Sequence, residues 1–248
     1  MAETVSPHPV SLQTILTLLQ EGEMEIQGRF VSSSNYTFYV LVKRSAQKAF
    51  SVYKPIRGER PLWDFPEETL AMREVAAFLV SEALGWGFVP PTVYRPDGPY
   101  GAGSLQLYIQ AEPDTHYFNL PEADKPELRR IALFDLLINN ADRKGGHLLK
   151  DLSGKLWVID HGICFHAEPK LRTVIWDFAG EAIADDLLED VAQFHTRLTR
   201  EADLKIAINS LLSPLEVAAL RRRAAALLAD RCYPTPKPGE RNFPWPPV

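Results

Sequence analysis

The sequence is poor in cysteine, with two residues, Cys164 and Cys232, in a chain of 248. Two cysteines are too few for a disulfide framework or for a cysteine-based zinc site. Long apolar runs are also missing, since no stretch approaches the roughly 20 residues that span a membrane. The N-terminus has no apolar core of a signal peptide. We therefore expect a cytoplasmic protein without a transmembrane anchor.

The chain also has no excess of positive charge, because its formal net charge is −5. This balance gives no reason to expect nucleic acid as a partner. The hydrophobic share of 46% and the charged share of 24% are those of an ordinary globular protein. A chain of this length can form one large domain or two lobes with sizeable cores.

The N-terminal half reads as a small sheet with one helix. Residues 1–22 form a leader and a helix, "SLQTILTLLQEG", which ends at Gly22. Residues 23–112 hold short runs rich in Val, Tyr and Phe, a pattern typical of strands. These runs are "MEIQGRFV", "YTFYVLVK", "KAFSVYK", "PPTVYRPDG" and "GSLQLYIQ", with the helical segment "TLAMREVAAFLVSEALG" between the third and the fourth. We predict an N-terminal lobe that is a mainly antiparallel sheet plus this helix.

Residues 113–232 are mostly helical in pattern. "PELRRIALFDLLINN" predicts a helix, and "HLLKDLSGKLWVIDHG" predicts a hairpin that turns at Ser-Gly. "SPLEVAALRRRAAALLAD" opens with a capping box of Ser213 and Glu216. Its run Arg221 to Arg223 is either a solvated face or a contact for an acidic partner. Residues 233–248 form a proline-rich tail, extended or loosely docked. The whole pattern predicts an α+β fold of two lobes with a cleft between them.

Two aspartates stand at the ends of the predicted hairpin. Asp142 follows an apolar helix, where alone it could be part of a solvated turn with Arg143. Asp160 ends the apolar strand "LWVI", where a charged group is costly unless it is paired or bound to a metal. A hairpin brings its ends together, and a divalent cation relieves the repulsion between two carboxylates. Phosphoryl transfer is the chemistry that most often requires this arrangement.

The two segments carry a family resemblance. "DRKGGH" followed by "VIDHG" resembles the D-R-H-x-x-N and D-F-G motifs of phosphatidylinositol 3-/4-kinases, and "NNADRKGGH" is similar to the N-x-D-x-H-x-x-N loop of HipA-type kinases. The resemblance implies a two-lobed protein-kinase-like fold that binds ATP and Mg²⁺ or Mn²⁺. Carried over, Asp142 orients or deprotonates the acceptor hydroxyl, Asp160 is the main metal ligand, and His147 occupies the position of the metal-binding Asn.

The N-terminal lobe contains candidates for the other parts of such a site. "AFSVYKP" places Lys54 at the end of a strand, where it would neutralise the donor phosphates. Glu74 lies in a largely apolar helix and needs a cationic partner, which we expect to be Lys54. Singly, each is also explained as a surface lysine or a half-exposed glutamate. The turn in "VSSSNYTF" is either an ordinary hairpin turn or one that covers the phosphates with Ser32, Ser33, Ser34 and Asn35. The segment "YIQAEPD" resembles the strand that joins the lobes of kinases, which implies that Gln110 and Glu112 contact the adenine.

Three positions depart from the families' pattern, and one of them is His161, which replaces the Phe of D-F-G. His147 replaces Asn, and imidazole suits manganese or zinc better than magnesium. Lys144 stands where the families have His, and it either neutralises the transferred phosphoryl group or is a solvated loop residue. The main hypothesis is an ATP-dependent kinase that acts on an alcohol, which is a protein Ser/Thr, an inositol-type alcohol or a lipid headgroup. The rivals are a nucleotide-binding pseudokinase and a metal-dependent hydrolase that uses His147, Asp142 and Asp160.

Overall fold

A computed structural model describes residues 10–30 and 35–248 of the chain. The described helices are α1 (Leu12–Glu21), α2 (Leu70–Ala83), α3 (Lys125–Ile138), α4 (Asp185–Arg200), α5 (Ala202–Leu211) and α6 (Pro214–Asp230). The described strands are β1 (Glu23–Arg29), β2 (Phe38–Arg44), β3 (Gln47–Pro55), β4 (Thr92–Gly98), β5 (Gly101–Leu107), β6 (Leu148–Lys150) and β7 (Leu156–Val158).

The first five strands form one antiparallel sheet in the order β1-β2-β3-β5-β4. Side chains alternate between its faces, so Val40 and Tyr53 point to one face and Lys54 to the other. The first face packs against Leu18 and Leu19 of α1, whose N-terminus is capped by the Ser11 side chain. Helix α2 lies against β4 and β5. The sheet therefore holds Lys54 on a rigid strand beside α2.

Helix α2 also joins the two lobes. Its residues Ala77, Phe78 and Val80 belong to the same buried core as Leu133 and Leu137 of α3. This core continues through α4, α5, α6 and the β6–β7 hairpin. Because one helix is packed into both lobes, residues on α2 have a fixed position relative to the C-terminal lobe.

The C-terminal lobe confirms the predicted α3 and α6 and the hairpin, in which Leu148 pairs with Val158. Helix α6 begins with the predicted capping box of Ser213 and Glu216. Helices α4 and α5 were not predicted as elements. Helix α4 has five buried apolar residues on one side, and these attach it to the core.

The proline-rich tail, which was predicted to be extended or loosely docked, forms specific backbone hydrogen bonds with the C-terminal lobe. The backbone N–H of Thr173 donates to the carbonyl of Asn242 at 3.1 Å, and that of Gly145 donates to the carbonyl of Pro247 at 2.7 Å. A Cβ atom at Gly145 would lie 2.8 Å from the ring of Phe118, so a larger residue here would have to displace that ring. The end of the tail therefore lies against the loop that follows α3. Among the described residues, no helix is both long enough and apolar enough to span a lipid bilayer.

Candidate active site

Lys54 lies between two carboxylates from different parts of the chain. Its Nζ is 2.5 Å from Oε1 of Glu74 on α2 and 2.9 Å from Oδ1 of Asp160, which follows β7. The Glu74 side chain is 4% exposed, whereas that of Asp160 is 49% exposed. The other oxygen of Glu74 accepts the backbone N–H of His161 at 2.9 Å. Glu74 thus anchors both the strand lysine and the segment that carries Asp160.

The charges of this cluster stabilise one another. Burial lowers the pKa of Lys54, but the carboxylates of Asp160 and Glu74 outweigh it, so the pKa lies above its ordinary value. The Lys54 ammonium, opposed by burial and aided by His147, holds the pKa of Asp160 well below its usual range. Asp160 is therefore an ionised carboxylate at neutral pH.

The backbone at Asp160 adopts an unusual conformation. Its φ is +65°, in the left-handed region that a non-glycine residue rarely adopts. The preceding residue is held from both sides, since the Ile159 N–H donates to the carbonyl of His147 at 3.0 Å and the Ile159 carbonyl accepts from Arg143 at 2.9 Å. These contacts fix the turn that directs the Asp160 side chain into the cleft.

His147 lies beside Asp160 as the motif spacing predicted. Its Nε2 is 3.2 Å from Oδ2 of Asp160, and its Nδ1 faces the backbone N–H of Lys144 at 3.4 Å. Neighbouring ligands of an octahedral ion at about 2.1 Å lie about 3 Å apart, so the two side chains have the separation that a shared ion requires. The described residues include no group of three His, Cys, Asp or Glu side chains that could hold a metal. A bound ion would therefore need ligands from elsewhere, such as phosphate oxygens.

Asp142 lies at the other end of the hairpin. Its backbone N–H donates to Oδ1 of Asn140 at 3.0 Å, and its carboxylate is 3.5 Å from Nζ of Lys144. Burial raises the pKa of Asp142, although Lys144 and His147 act in the opposite direction. Asp142, Lys144 and Asp160 all line one cleft with Lys54. The structure thus brings the two aspartates and the strand lysine to the same cavity.

A buried network supports this arrangement, and the sequence analysis missed it. Arg143 is fully buried and donates to both carboxylate oxygens of Asp135 on α3, at 3.0 and 3.1 Å. Its Nη2 also contacts Nε2 of His161 at 2.8 Å. Burial, and then the Arg143 charge, lower the pKa of His161 well below its usual range, so its imidazole is neutral. The isolated Asp135 within the apolar run of α3 was the available signal, because such a carboxylate needs a cationic partner.

The cleft has a volume of about 320 Å³ between the lobes. The residues that line it are Asn35, Tyr36, Thr37, Lys54, Pro55, Glu59, Arg60, Leu62, Leu70, Ala71, Glu74, Asp142, Lys144, Asp160, Gly162 and Ile163. The predicted phosphate-covering residues Ser32, Ser33 and Ser34 lie outside the described residues. Asn35 borders the cleft, and its side-chain oxygen accepts the backbone N–H of Arg60 at 2.9 Å.

The predicted adenine-binding connection follows β5. Gln110 is exposed, and the backbone N–H of Glu112 donates to the carbonyl of Lys150 at 2.7 Å. This bond ties the connection between the lobes to β6. Within the described part of the chain, neither residue lines the cleft that contains Lys54, so their contact with a nucleotide stays a prediction.

Solved structures share this architecture. The Golgi casein kinase with Mn/ADP bound superimposes with a TM-score of 0.54 at 15% sequence identity, covering 88% of this chain and 74% of that one. The Helicobacter pylori proinflammatory kinase CtkA superimposes with a TM-score of 0.52 at 12% identity, covering 86% and 94%. The predicted two-lobed, protein-kinase-like α+β fold is therefore confirmed.

Sequence relatives give a second comparison. No protein-family model matches the chain. Phosphatidylinositol 4-kinase gamma 4 of Arabidopsis thaliana is 33% identical over 169 residues, which cover 51% of this chain and 30% of that protein. This supports the kinase-like superfamily, while membership in the narrower phosphatidylinositol 3-/4-kinase or HipA group stays a prediction. Protein Rv2133c of Mycobacterium tuberculosis is 42% identical over 264 residues, which cover 92% of this chain and 94% of that protein. The chain belongs to the same family as Rv2133c.

Proposed function

We propose that this protein is an ATP-dependent phosphotransferase, which transfers the γ-phosphoryl group of ATP to an alcohol with the aid of a divalent metal. The observation that carries the proposal is the position of Lys54, whose ammonium contacts Glu74 at 2.5 Å and Asp160 at 2.9 Å across the interlobe cleft. A strand lysine held by a helix glutamate next to a metal-binding aspartate is the arrangement that kinases use. A metal-dependent hydrolase would leave this lysine and glutamate without a role.

Lys54 would neutralise the donor phosphates, and Glu74 would hold it in place. Glu74 is suited to this task because it is almost fully buried and its second oxygen is fixed by the His161 N–H. The pair therefore needs no reorganisation when a charged ligand arrives, which is the main requirement of electrostatic catalysis.

Asp160 would bind the metal ion, with His147 as a second ligand. The ionised and half-exposed Asp160 carboxylate fits a hard divalent cation, and imidazole favours Mn²⁺ over Mg²⁺. His147 can offer Nε2 to a metal only if Nδ1 carries the proton, which removes the long 3.4 Å contact with the Lys144 N–H. When bound, the ion would supply charge neutralisation for the transferred phosphoryl group.

Asp142 would orient the acceptor hydroxyl and take up its proton. Burial raises the pKa of this carboxyl, which brings it closer to that of an effective general base. Lys144, 3.5 Å away, would steady the transferred phosphoryl group or the Asp142 charge. The acceptor is an alcohol of a protein Ser/Thr, an inositol-type compound or a lipid headgroup.

Nucleotide binding is supported by the shared fold. The Golgi casein kinase neighbour was solved with Mn/ADP bound. If the same use of the fold applies here, the nucleotide would lie between the sheet and Asp160, near Asn35. The predicted contacts of Gln110 and Glu112 with the base belong to this proposal.

One observation favours a second candidate, a nucleotide-binding pseudokinase that acts as a regulatory module. Both oxygens of the Asp160 carboxylate already have protein partners, Lys54 and His147. Because Nδ1 of His147 accepts the Lys144 N–H, its Nε2 carries the proton that faces Asp160. His147 can bind a metal only after this contact is lost, which weakens metal binding. A pseudokinase would bind nucleotide and release no ADP.

The test is thermal unfolding with ATP and either Mg²⁺ or Mn²⁺, together with a measurement of ADP release. Wild type should be stabilised by ATP with metal, because a ligand that binds only the native state raises the unfolding midpoint. Asp160→Asn should lose this shift, whereas Asp203→Asn, at an exposed position on α5, should keep it. Asp142→Asn should keep the shift and lose about a hundredfold in ADP release.

Two results decide against the proposals. The absence of a shift with any nucleotide in wild type would refute both candidates. A shift without ADP release, in wild type and Asp142→Asn alike, would select the pseudokinase.

A further inference from the structure

A groove of about 850 Å³ lies on the C-terminal lobe. It lies between α6, the segment around residues 167–176 and the tail. The residues that line it are Leu136, Asn139, Ala167, Pro169, Lys170, Leu171, Arg172, Trp176, Ala219, Arg222, Arg223, Ala226, Leu227, Asp230, Cys232, Pro234, Thr235, Lys237, Glu240, Arg241 and Asn242. None of these residues lines the catalytic cleft.

The groove is strongly basic in a protein of net charge −5. Six cationic side chains line it, against the carboxylates of Asp230 and Glu240. Within the described part of the chain, the side chains of Arg172, Arg222 and Arg241 have no hydrogen bond or ion pair. Guanidinium groups that have no partner within the protein are well suited to bind carboxylates or phosphates, because their N–H groups form a planar fork.

A fourth arginine that lines the groove, Arg223, is already held by the protein. It donates to the carbonyls of Leu137 at 2.7 Å and His166 at 3.2 Å. Its Nη2 is buried, so a ligand in the groove would not reach it. Within the described structure, Arg172, Arg222 and Arg241 are therefore the arginines of the groove that remain free to bind an anionic ligand.

The groove also has apolar lining residues. Leu136, Leu171, Trp176 and Leu227 are buried or half-buried, whereas Arg222 and Arg241 are exposed. We propose that this groove docks an acidic peptide segment of a partner protein, with its apolar side chains on the apolar lining residues and its carboxylates or phosphates on Arg172, Arg222 and Arg241. A recessed site suits a peptide better than a membrane surface, which requires cations on a protruding face.

The groove lies next to the loop that carries Asp142. The Arg172 backbone accepts the N–H of Arg143 at 2.9 Å and donates to the carbonyl of Asn140 at 2.9 Å. One wall of the groove is thus the segment that pairs with the loop carrying Asp142. A docked partner would lie directly behind the candidate active site, whether or not that site transfers phosphate.

The test is fluorescence anisotropy with a short labelled peptide in which pairs of Glu alternate with single Leu. A copy with phosphoserine in place of Glu and a copy with Gln serve as comparisons. We expect binding of the Glu or phosphoserine peptide that weakens with added salt and is lost for the Gln peptide. Whichever of the two acidic peptides binds with the higher affinity shows whether the groove prefers carboxylates or phosphates.

The decisive variant is Arg222→Gln combined with Arg241→Gln, both at exposed positions where folding is not at risk. Its affinity for the acidic peptide should fall about tenfold or more, because two charge-assisted contacts are lost. The matched control, Arg200→Gln with Lys205→Gln, removes the same charge from exposed positions on α4 and α5 and should bind as wild type does.

Several outcomes would overturn the proposal. Equal binding of the Gln peptide, equal loss in the control variant, or no binding of either acidic peptide would each contradict it. Tight binding to vesicles of anionic phospholipid that depends on Arg222 and Arg241, without peptide binding, would assign the groove to a membrane surface instead.

Discussion

Replacing Arg143 with methionine tests whether the buried network supports the loop that carries Asp142. Arg143 donates to both oxygens of Asp135, to the carbonyl of Ile159 and toward Nε2 of His161. Methionine fills similar space without a charge or a donor. The substitution leaves a fully buried carboxylate whose remaining partners are Asn140, at 2.9 Å, and the weaker contact of Thr173, at 3.4 Å.

The expected loss follows from the burial of this carboxylate. Removing one partner of a buried ion pair costs about 3–5 kcal/mol. Domains are typically stable by only about 5–15 kcal/mol, so the variant should be close to unfolding. The double variant Asp135→Leu/Arg143→Met has no buried charge and should be more stable than Arg143→Met alone by about 1 kcal/mol or more.

Urea unfolding followed by the fluorescence of the five tryptophans measures these differences. The control is Arg130→Met on α3, which breaks only the partly exposed ion pair with Glu127 and should cost less than about 1 kcal/mol. If Arg143→Met were as stable as this control, or if the double variant lost the sum of its two single losses, the network would not act as argued.

Two further predictions concern the cleft. Glu74→Gln should reduce the thermal stabilisation by ATP and Mn²⁺ severalfold, because Lys54 then keeps only one of its two ion pairs, that with Asp160. Glu82→Gln on the same helix should leave the stabilisation unchanged, and equal effects of the two variants would contradict a special role of Glu74. His147→Asn should shift the metal preference from Mn²⁺ toward Mg²⁺, since an amide oxygen suits the harder ion, and an unchanged ranking in the same thermal assay would show that His147 is not a ligand.

The sequence predicted those parts of the site that depend on local pattern. Glu74 was recognisable because it interrupts an apolar helix, and Lys54 because it ends a strand of β-forming residues. Their contact requires the sheet and α2 to pack side by side, and the structure places them so. The hairpin brings its two ends together as predicted, since Asp142 and Asp160 line the same cleft.

Other features lay beyond local pattern. Arg143 follows Asp142 in a polar segment and reads as solvated, yet it is fully buried, because its partners come from α3 and from the far side of the hairpin. The run Arg221 to Arg223 was interpreted as one face or one contact surface. In the structure Arg221 and Arg223 point to backbone carbonyls, and only Arg222 is exposed. Which of the three arginines is exposed depends on tertiary packing, because packing determines which residues contact each face of α6.

The hydrogen bond between Gly145 and Pro247 joins residues about a hundred positions apart. Gly145 lies in the segment that carries Asp142 and His147, so the end of the tail contacts that segment directly. An expression fragment trimmed after Cys232, on the assumption that a proline-rich end is dispensable, would leave the Gly145 amide without its acceptor and Trp176 without its contact to Asn242. If a fragment shortened in this way were inactive, the cause would be the loss of contacts that hold this loop, and the result would not show that the full chain lacks activity.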